Sequence, residues 1–283
     1  MSGGPARWTI AVLGLGEAGG DIARGLAGTG ARVKGYDPVV PAPPGVEPAD
    51  GDADACRGAD LVLSLTTAAE AGEALAAALA GVAGPTVYAD ANTAAAGQKQ
   101  RLGQVAADAG VPFADIAIMA PVPGHGYRVP MLISGTGAGR AAAILTDCGA
   151  STEILPGPPG AAATRKLLRS VFYKGTAAAV VEALVAARAA GCEDWMREHI
   201  AAELAAASAD TATRMEEGSY RHALRRSHEM GAAAELLGEL GVPARVTIAS
   251  QQWLEELVVT AGEDRAAAAS ASTSAGSGPR RPG

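Results

Sequence analysis

Aromatic residues are scarce in this chain of 283: two Phe, three Trp and five Tyr make up 4% of it. Apolar residues still reach 48%, so any core is built from Ala, Val and Leu in closely packed helices and strands. Cysteine is rarer still. Cys56, Cys148 and Cys192 are odd in number, widely spaced and without a C-x-x-C pair, which supports neither a disulfide framework nor a zinc cluster and points to a reducing cytoplasm. Positive charge is in deficit: 23 Lys and Arg against 30 Asp and Glu give a formal charge of −7, with an isoelectric point near 5.2. No basic stripe interleaved with aromatics appears, which argues against a nucleic-acid partner. The N-terminus has no basic stretch leading into an apolar one, because Glu17 and Asp21 interrupt the first hydrophobic run. The longest alanine-rich run, 175–191, contains Glu182 and Arg188, so the reading is a cytoplasmic protein with no membrane span.

What is present is an alternation. Short apolar or β-branched runs at 8–13, 31–36, 61–65, 86–89, 112–119, 130–134 and 151–155 are separated by helix-like segments, and that order predicts a mainly parallel sheet with helices on both faces. "PGPPG" at 156–160 ends the pattern. Beyond it the expected elements are all helical: 161–191 as one long helix, then 193–208, 219–240 and 244–261, with Gly241 and Pro243 stopping the third. The domain reading is a flexible N-terminus at 1–7, a dinucleotide-binding α/β domain at 8–156, a helical substrate and dimerisation domain at 157–262, and a disordered tail at 263–283, where Ser, Ala, Gly and Pro carry no apolar period. No fixed-period repeat is present.

The stretch "WTIAVLGLGEAGGDIARGLAGTGARVKGYD", residues 8–37, concentrates the chemistry. Gly14, Gly16 and Gly19 form G-x-G-x-x-G straight after an apolar run and at the head of a helical segment. In a dinucleotide site the first glycine makes the turn, the second lets the backbone approach pyrophosphate, and the third lets helix pack on strand. A chain with 37 glycines produces this spacing by chance, but here a second strand follows and ends on Asp37, 23 positions beyond Gly14. A carboxylate there accepts hydrogen bonds from the ribose hydroxyls of NAD and repels the extra phosphate of NADP. The segment Gly14, Leu15, Gly16, Glu17, Ala18 and Gly19, with Asp37, is therefore read as cofactor-binding. NAD is the favoured cofactor, and NADP stays open because Lys34 or a nearby arginine is within reach of a phosphate.

With those residues in order, the chain from 8 to about 262 resembles the β-hydroxyacid dehydrogenase superfamily, which includes 6-phosphogluconate and 3-hydroxyisobutyrate dehydrogenases. "SLTTAAEA" at 64–71 is similar to that family's cofactor-side loop, and "DANT" at 90–93 to its D-x-[SN]-[ST] segment beside the nicotinamide. The resemblance adds Thr66, Asn92 and Thr93 to the cofactor set. "DIAIMAPVPGHG", 115–126, is similar to the family's D-x-P-V-S-G-G substrate loop, with Pro123 in place of the serine and His125 following. It implies substrate binding at Pro123, Gly124 and His125, with backbone donors at Gly124 and Gly126. A lone loop histidine such as His125 is also commonly just solvated.

The resemblance further implies a catalytic lysine on the long helix, six residues after a glycine and four before an asparagine. Gly160 and Lys166 fit, and Ser170 stands in the asparagine's place. On a helix Lys166, Ser170, Tyr173 and Lys174 share one face, which either lines a cleft or is solvated beside Arg165 and Arg169. Lys166 and Ser170 are read as catalytic and Lys174 as substrate-binding. A partly neutral lysine, its pKa lowered by desolvation or neighbouring cations, serves as the base that takes the hydroxyl proton while hydride leaves the carbinol carbon.

The helical remainder is more similar to the uncharacterised C-terminal domain of some 6-phosphogluconate-dehydrogenase-like proteins, on "LLRSVFYKG" at 167–175 and "RHALRRSHEM" at 221–230. His222, Arg225, Arg226 and Glu229 there fit an anion site, a subunit contact or plain surface salt bridges. His222 and His228 are spaced badly for one metal, so none is expected. These readings give an α/β Rossmann domain followed by a helical domain, acting as an NAD(P)-dependent oxidoreductase. The expected substrate is a small, anionic hydroxy acid or polar alcohol, and the expected assembly a homodimer. Two rivals remain: NADPH-dependent imine or ketone reduction, favoured by Ser170 and the altered substrate loop, and a non-catalytic dinucleotide sensor.

Overall fold

A computed structural model describes residues 7–275, with side chains described to 260. The chain divides after Val171 into two compact units.

The first unit is one sheet of eight strands: β1 (Thr9–Leu13), β2 (Arg32–Tyr36), β3 (Glu47–Pro48), β4 (Leu61–Ser64), β5 (Val87–Asp90), β6 (Phe113–Ile118), β7 (Met131–Ser134) and β8 (Thr152–Ile154). Their order is β3-β2-β1-β4-β5-β6-β7-β8, parallel throughout except for the antiparallel pair β6–β7. Helices α1 (Glu17–Ala27), α2 (Asp52–Cys56), α3 (Ala71–Leu79), α4 (Ala96–Asp108) and α5 (Ala138–Asp147) connect them. Central strands are buried on both faces, so their side chains alternate between two cores rather than between core and water. Ile10, Val12, Leu61 and Leu63 pack with Ile22 and Leu26 of α1 and with Ile144 and Leu145 of α5. Ala11, Leu13, Val62 and Tyr88 pack with Leu75 of α3 and Leu102 of α4.

The seven strands expected from apolar runs are all present. The eighth, β3, is two residues long, too short to carry a period. Strand order reverses at β1, with β2 on one side and β4 on the other. The loops leaving the carboxyl ends of β1 and β4 therefore part and open a crevice, the usual ligand position in such sheets.

The long helix α6 (Ala161–Ala189) begins in the first unit. Its opening amides are bonded to buried polar groups of the sheet: Gly160 and Ala163 N–H to Asp115 Oδ2, both at 3.0 Å, and Ala162 N–H to Ser134 Oγ at 3.1 Å. The division consequently falls inside α6 and not at the proline-rich 156–160 that composition suggests.

The second unit consists, among its described residues, of helices: the remainder of α6, α7 (Glu193–Ala205), α8 (Thr211–Arg221), α9 (Ala223–Glu239) and α10 (Arg245–Ala275). The single helix expected at 219–240 is two, broken at His222, which leaves the helical region at φ −121° and ψ 25°. No glycine or proline marks that break. The stop after α9 is as expected: Gly241 sits at φ +68° and its neighbour Val242 N–H closes on Leu237 O at 2.8 Å.

A disordered tail was expected from 263, yet α10 carries on through Ala275, since alanine is the best helix former. Of the expected tail, 276–283 lies outside the described residues, as does most of the expected flexible N-terminus, 1–6. Helix α6 is also long and apolar enough to cross a membrane by length and composition, with a mean hydropathy of 1.3 over its best window, so Glu182 and Arg188 do not exclude a span as expected. Only 11% of that window is buried; α6 bonds to the sheet at its start through Asp115 and to Val246 and Thr247 of α10 through Glu182.

Candidate functional site

Three glycines do three different jobs at the end of β1. Gly14 turns the chain at φ +86° while its N–H donates to Tyr36 O at 2.9 Å, and a Cβ there would lie 2.5 Å from Leu65 O. A Cβ on Gly19 would fall on the carbonyl oxygen of Gly14, so α1 packs against the β1 turn as only glycine allows. A Cβ on Gly16 would meet nothing within 4 Å. Gly16 is the N-cap of α1 with no side chain capping the helix, which leaves the first-turn amides without a side-chain partner, an arrangement that suits an anion. Leu15 is buried, Ala18 half-buried and Glu17 exposed. These residues fit a pyrophosphate.

Asp37, at the end of β2, is the second element. Its Oδ2 accepts Leu15 N–H at 2.8 Å, and its Oδ1 accepts Val39 N–H at 2.8 Å and Val40 N–H at 2.9 Å. Partial burial raises its pKa, but the amides of Val40, Leu15 and Val39 outweigh this and hold it below the usual carboxylate value. Asp37 is therefore an anion fastened to the glycine turn. With Gly14, Gly16, Tyr36 and Thr66 it lines a cavity of about 530 Å³, whose other charged lining residues are Asp52, Glu70 and Glu73. No Lys or Arg is among those lining residues. Lys34, which left NADP open in the sequence, donates to Asp54 O.

A second group of expected residues lies past β4 and β5. Asn92, Thr93, Ala94 and Lys166 meet around one tight gap, too narrow for a water molecule, with Ile116, Ala117, Ala163 and Leu167. Residues predicted from two distant motifs, at 90–93 and on α6, are thus brought together. Asn92 is buried, and its Nδ2 is within hydrogen-bond distance of Asp90 Oδ2 at 2.9 Å, Ser64 Oγ at 3.2 Å and Thr66 Oγ1 at 3.3 Å. Thr66 thereby borders both the dinucleotide cavity and the Asn92 network. Lys166 is half-buried. Ser170, also half-buried, donates its hydroxyl to Lys166 O at 3.0 Å, which leaves its oxygen as an acceptor.

The other expected substrate residues are not part of this group. Pro123, Gly124 and His125 are exposed. His125 Nδ1 lies 3.0 Å from Pro121 O, and Gly126 N–H is used by Val122 O at 2.7 Å. Of the two backbone donors expected there, Gly126 is spent within the turn and Gly124 remains. Lys174 is exposed on α6. Sequence reading missed the buried charges behind Asn92: Asp90, Lys99 and Asp115, all fully buried. The signal was available. Asp90 and Asp115 interrupt apolar strands, and Lys99 shares the inward face of α4 with Leu102, Gly103 and Ala106.

Among the described residues no cluster of His, Cys, Asp and Glu is suited to a metal ion. The fold and the glycine turn define a nicotinamide-dinucleotide-binding protein of dehydrogenase or reductase type. Comparison with known proteins agrees. Residues 9–150 match the NAD binding domain of 6-phosphogluconate dehydrogenase, and the chain belongs to that family. Residues 187–257 match a domain of unknown function, DUF1932.

Among solved structures, a conserved hypothetical protein from Sinorhizobium meliloti 1021 is 31% identical at a TM-score of 0.58, covering 88% of this chain and 87% of its own. A conserved protein of unknown function, described as structurally similar to 3-hydroxyacid dehydrogenases, is 24% identical at a TM-score of 0.58 and covers 89% and 98%. An imine reductase from Myxococcus stipitatus in complex with NADP+ shares the fold at a TM-score of 0.75 with 18% identity, covering 89% and 94%. No functionally curated protein matches.

Proposed function

We propose that this protein is an NAD-dependent dehydrogenase that oxidises a small hydroxy acid or related polar alcohol, with Lys166 as general base. The observation that carries this reading is the juxtaposition of Lys166 with Asn92 and Thr93, past the carboxyl ends of β4 and β5. The bound dinucleotide supplies the hydride acceptor. Lys166 supplies the proton path: its neutral amine takes the hydroxyl proton as the carbinol C–H bond breaks and the carbonyl forms, and in reverse its ammonium returns that proton to the carbonyl oxygen. Asn92 and Thr93 offer the polar atoms that orient the reacting end, and Ser170 offers a lone pair where related enzymes place an asparagine. NAD is preferred because the adenosine cavity is ringed by Asp37, Asp52, Glu70 and Glu73, which repel a further phosphate. The substrate in this reading is anionic, as in the related hydroxyacid dehydrogenases. The protein works in the cytoplasm as a homodimer.

The imine reductase fold neighbours favour a second reading, reduction of an imine or ketone with NADPH. Purified protein is assayed for NAD and NADP reduction over 2- and 3-hydroxy acids, sugar acids and amino alcohols, and for NADH and NADPH oxidation with ketones and cyclic imines. NAD-linked oxidation of a hydroxy acid is expected. NADPH-linked imine reduction alone establishes the second reading, and tight cofactor binding with no turnover in either direction establishes a sensor.

A further inference from the structure

Behind Asn92 lies a cation used by nothing described so far. Lys99 on α4 is fully buried, as are the two carboxylates beside it, Asp90 and Asp115. Burial of an ammonium is costly unless partners close around it. Here Nζ donates to Asp90 O at 2.9 Å and to Asp90 Oδ1, and it stands 3.3 Å from Asp115 Oδ1.

Each carboxylate turns its other oxygen to a different part of the site. Asp90 Oδ2 holds the Asn92 amide. Asp115 Oδ2 holds the N–H groups of Gly160 and Ala163, and accepts from the Ser134 hydroxyl at 3.3 Å. Those are the opening amides of the helix that carries Lys166 three residues later. An anion at a helix N-terminus also meets the positive end of the helix dipole. One cation thus stands between two anions, one on the cofactor side and one under α6. Without it, buried Asp115 has no counter-ion whether or not Asp90 is charged, and burial drives it to take up a proton. A protonated Asp115 gives up the charge that holds the first turn of α6.

We propose that Lys99 is a positioning residue that, by pairing with Asp90 and Asp115 at once, fixes the Asn92 side chain and the N-terminus of α6 in one mutual geometry. Its consequence for turnover rests on the roles given above to Asn92 and Lys166. The geometric claim does not.

The test uses the full chain with two variants. Lys99→Met removes the cation, and Lys99→Met/Asp90→Asn removes it together with one anion, so the double variant keeps the buried charge of the wild type and remains folded if the single one does not. The readout is hydrogen exchange by mass spectrometry, with NADH affinity from fluorescence titration alongside. In whichever variant folds, exchange over 160–167 is expected to rise by about tenfold while peptides from β1 and α1 stay at wild-type rates, with NADH affinity changed by less than about threefold. Unchanged exchange over 160–167 in the folded double variant overturns the proposal, and so does a rise spread evenly over the whole unit, which marks plain loss of stability. Absence of NADH binding by the wild type counts against the oxidoreductase reading and leaves the exchange result to decide this one.

Discussion

Asp37 makes three hydrogen bonds with backbone amides and so helps to set the turn it serves. That double duty separates two effects of changing it. Asp37→Asn keeps one acceptor oxygen and loses the charge, so the preference for NADH over NADPH in fluorescence titration is expected to fall by about tenfold, with the fold retained. An unchanged preference would place discrimination in Asp52, Glu70 and Glu73 instead. The cysteines give a second residue-scale expectation. Burial pushes the Cys56 thiol up to about 12, with the Asp52 charge adding to it, and burial also raises Cys148. Cys192 alone of the three is exposed. A disulfide reagent at neutral pH is therefore expected to titrate one thiol quickly in the native chain, the thiolate being the reactive form, and Cys192→Ser is expected to abolish that fast phase.

At the scale of elements, the α1 turn separates folding from binding between two neighbouring glycines. Gly19→Ala drives a methyl into the Gly14 carbonyl and is expected to destabilise by about 2–4 kcal/mol in urea unfolding. Gly16→Ala meets only open space, so its unfolding midpoint stays near that of the wild type while NADH affinity drops, because the methyl occupies the pyrophosphate's approach.

In the helical unit, Glu182 caps α10: it accepts Val246 N–H, Thr247 N–H and the Thr247 hydroxyl at 2.7–2.8 Å. Burial raises its pKa, but the Thr247 hydroxyl and the α10 amides together bring it below the ordinary glutamate range. A depressed carboxylate adds stability that is complete above its unfolded pKa and is lost as pH falls through the folded one. Glu182→Gln is thus expected to cost about 1–3 kcal/mol near neutral pH, with the gap to wild type closing below about pH 4. A constant gap across that range would show that the charge of Glu182 contributes nothing to the cap.

For the whole molecule, an exposed apolar surface is concentrated in the helical unit, where Phe172 is 72% and Trp253 67% exposed. Such residues in water call for a covering partner. Light scattering is expected to give twice the chain mass of 28.0 kDa, and the monomer mass would refute the dimer.

The Rossmann half was legible because its strands are apolar runs separated by clear breaks, and the glycine spacing maps onto a turn in which each position is constrained differently. The helical half was less so. The break at His222 has no proline or glycine to announce it, and the alanine-rich segment past 263 reads as linker by composition and as helix by propensity. Asn92 and Lys166 were singled out through their motifs, and the fold brings them side by side. The Asp90–Lys99–Asp115 cluster was passed over because charges usually mark a solvated face, and only the apolar neighbours of each residue betray its burial.

The most direct measurement compares Lys166→Met with wild type, reading pre-steady-state reduction of NAD by whichever hydroxy acid the wild type oxidises and NADH affinity in parallel. The account predicts a rate lower by about a hundredfold or more, the usual contribution of a general acid–base group, at unchanged affinity. A variant that binds NADH and still transfers hydride at the wild-type rate would contradict it.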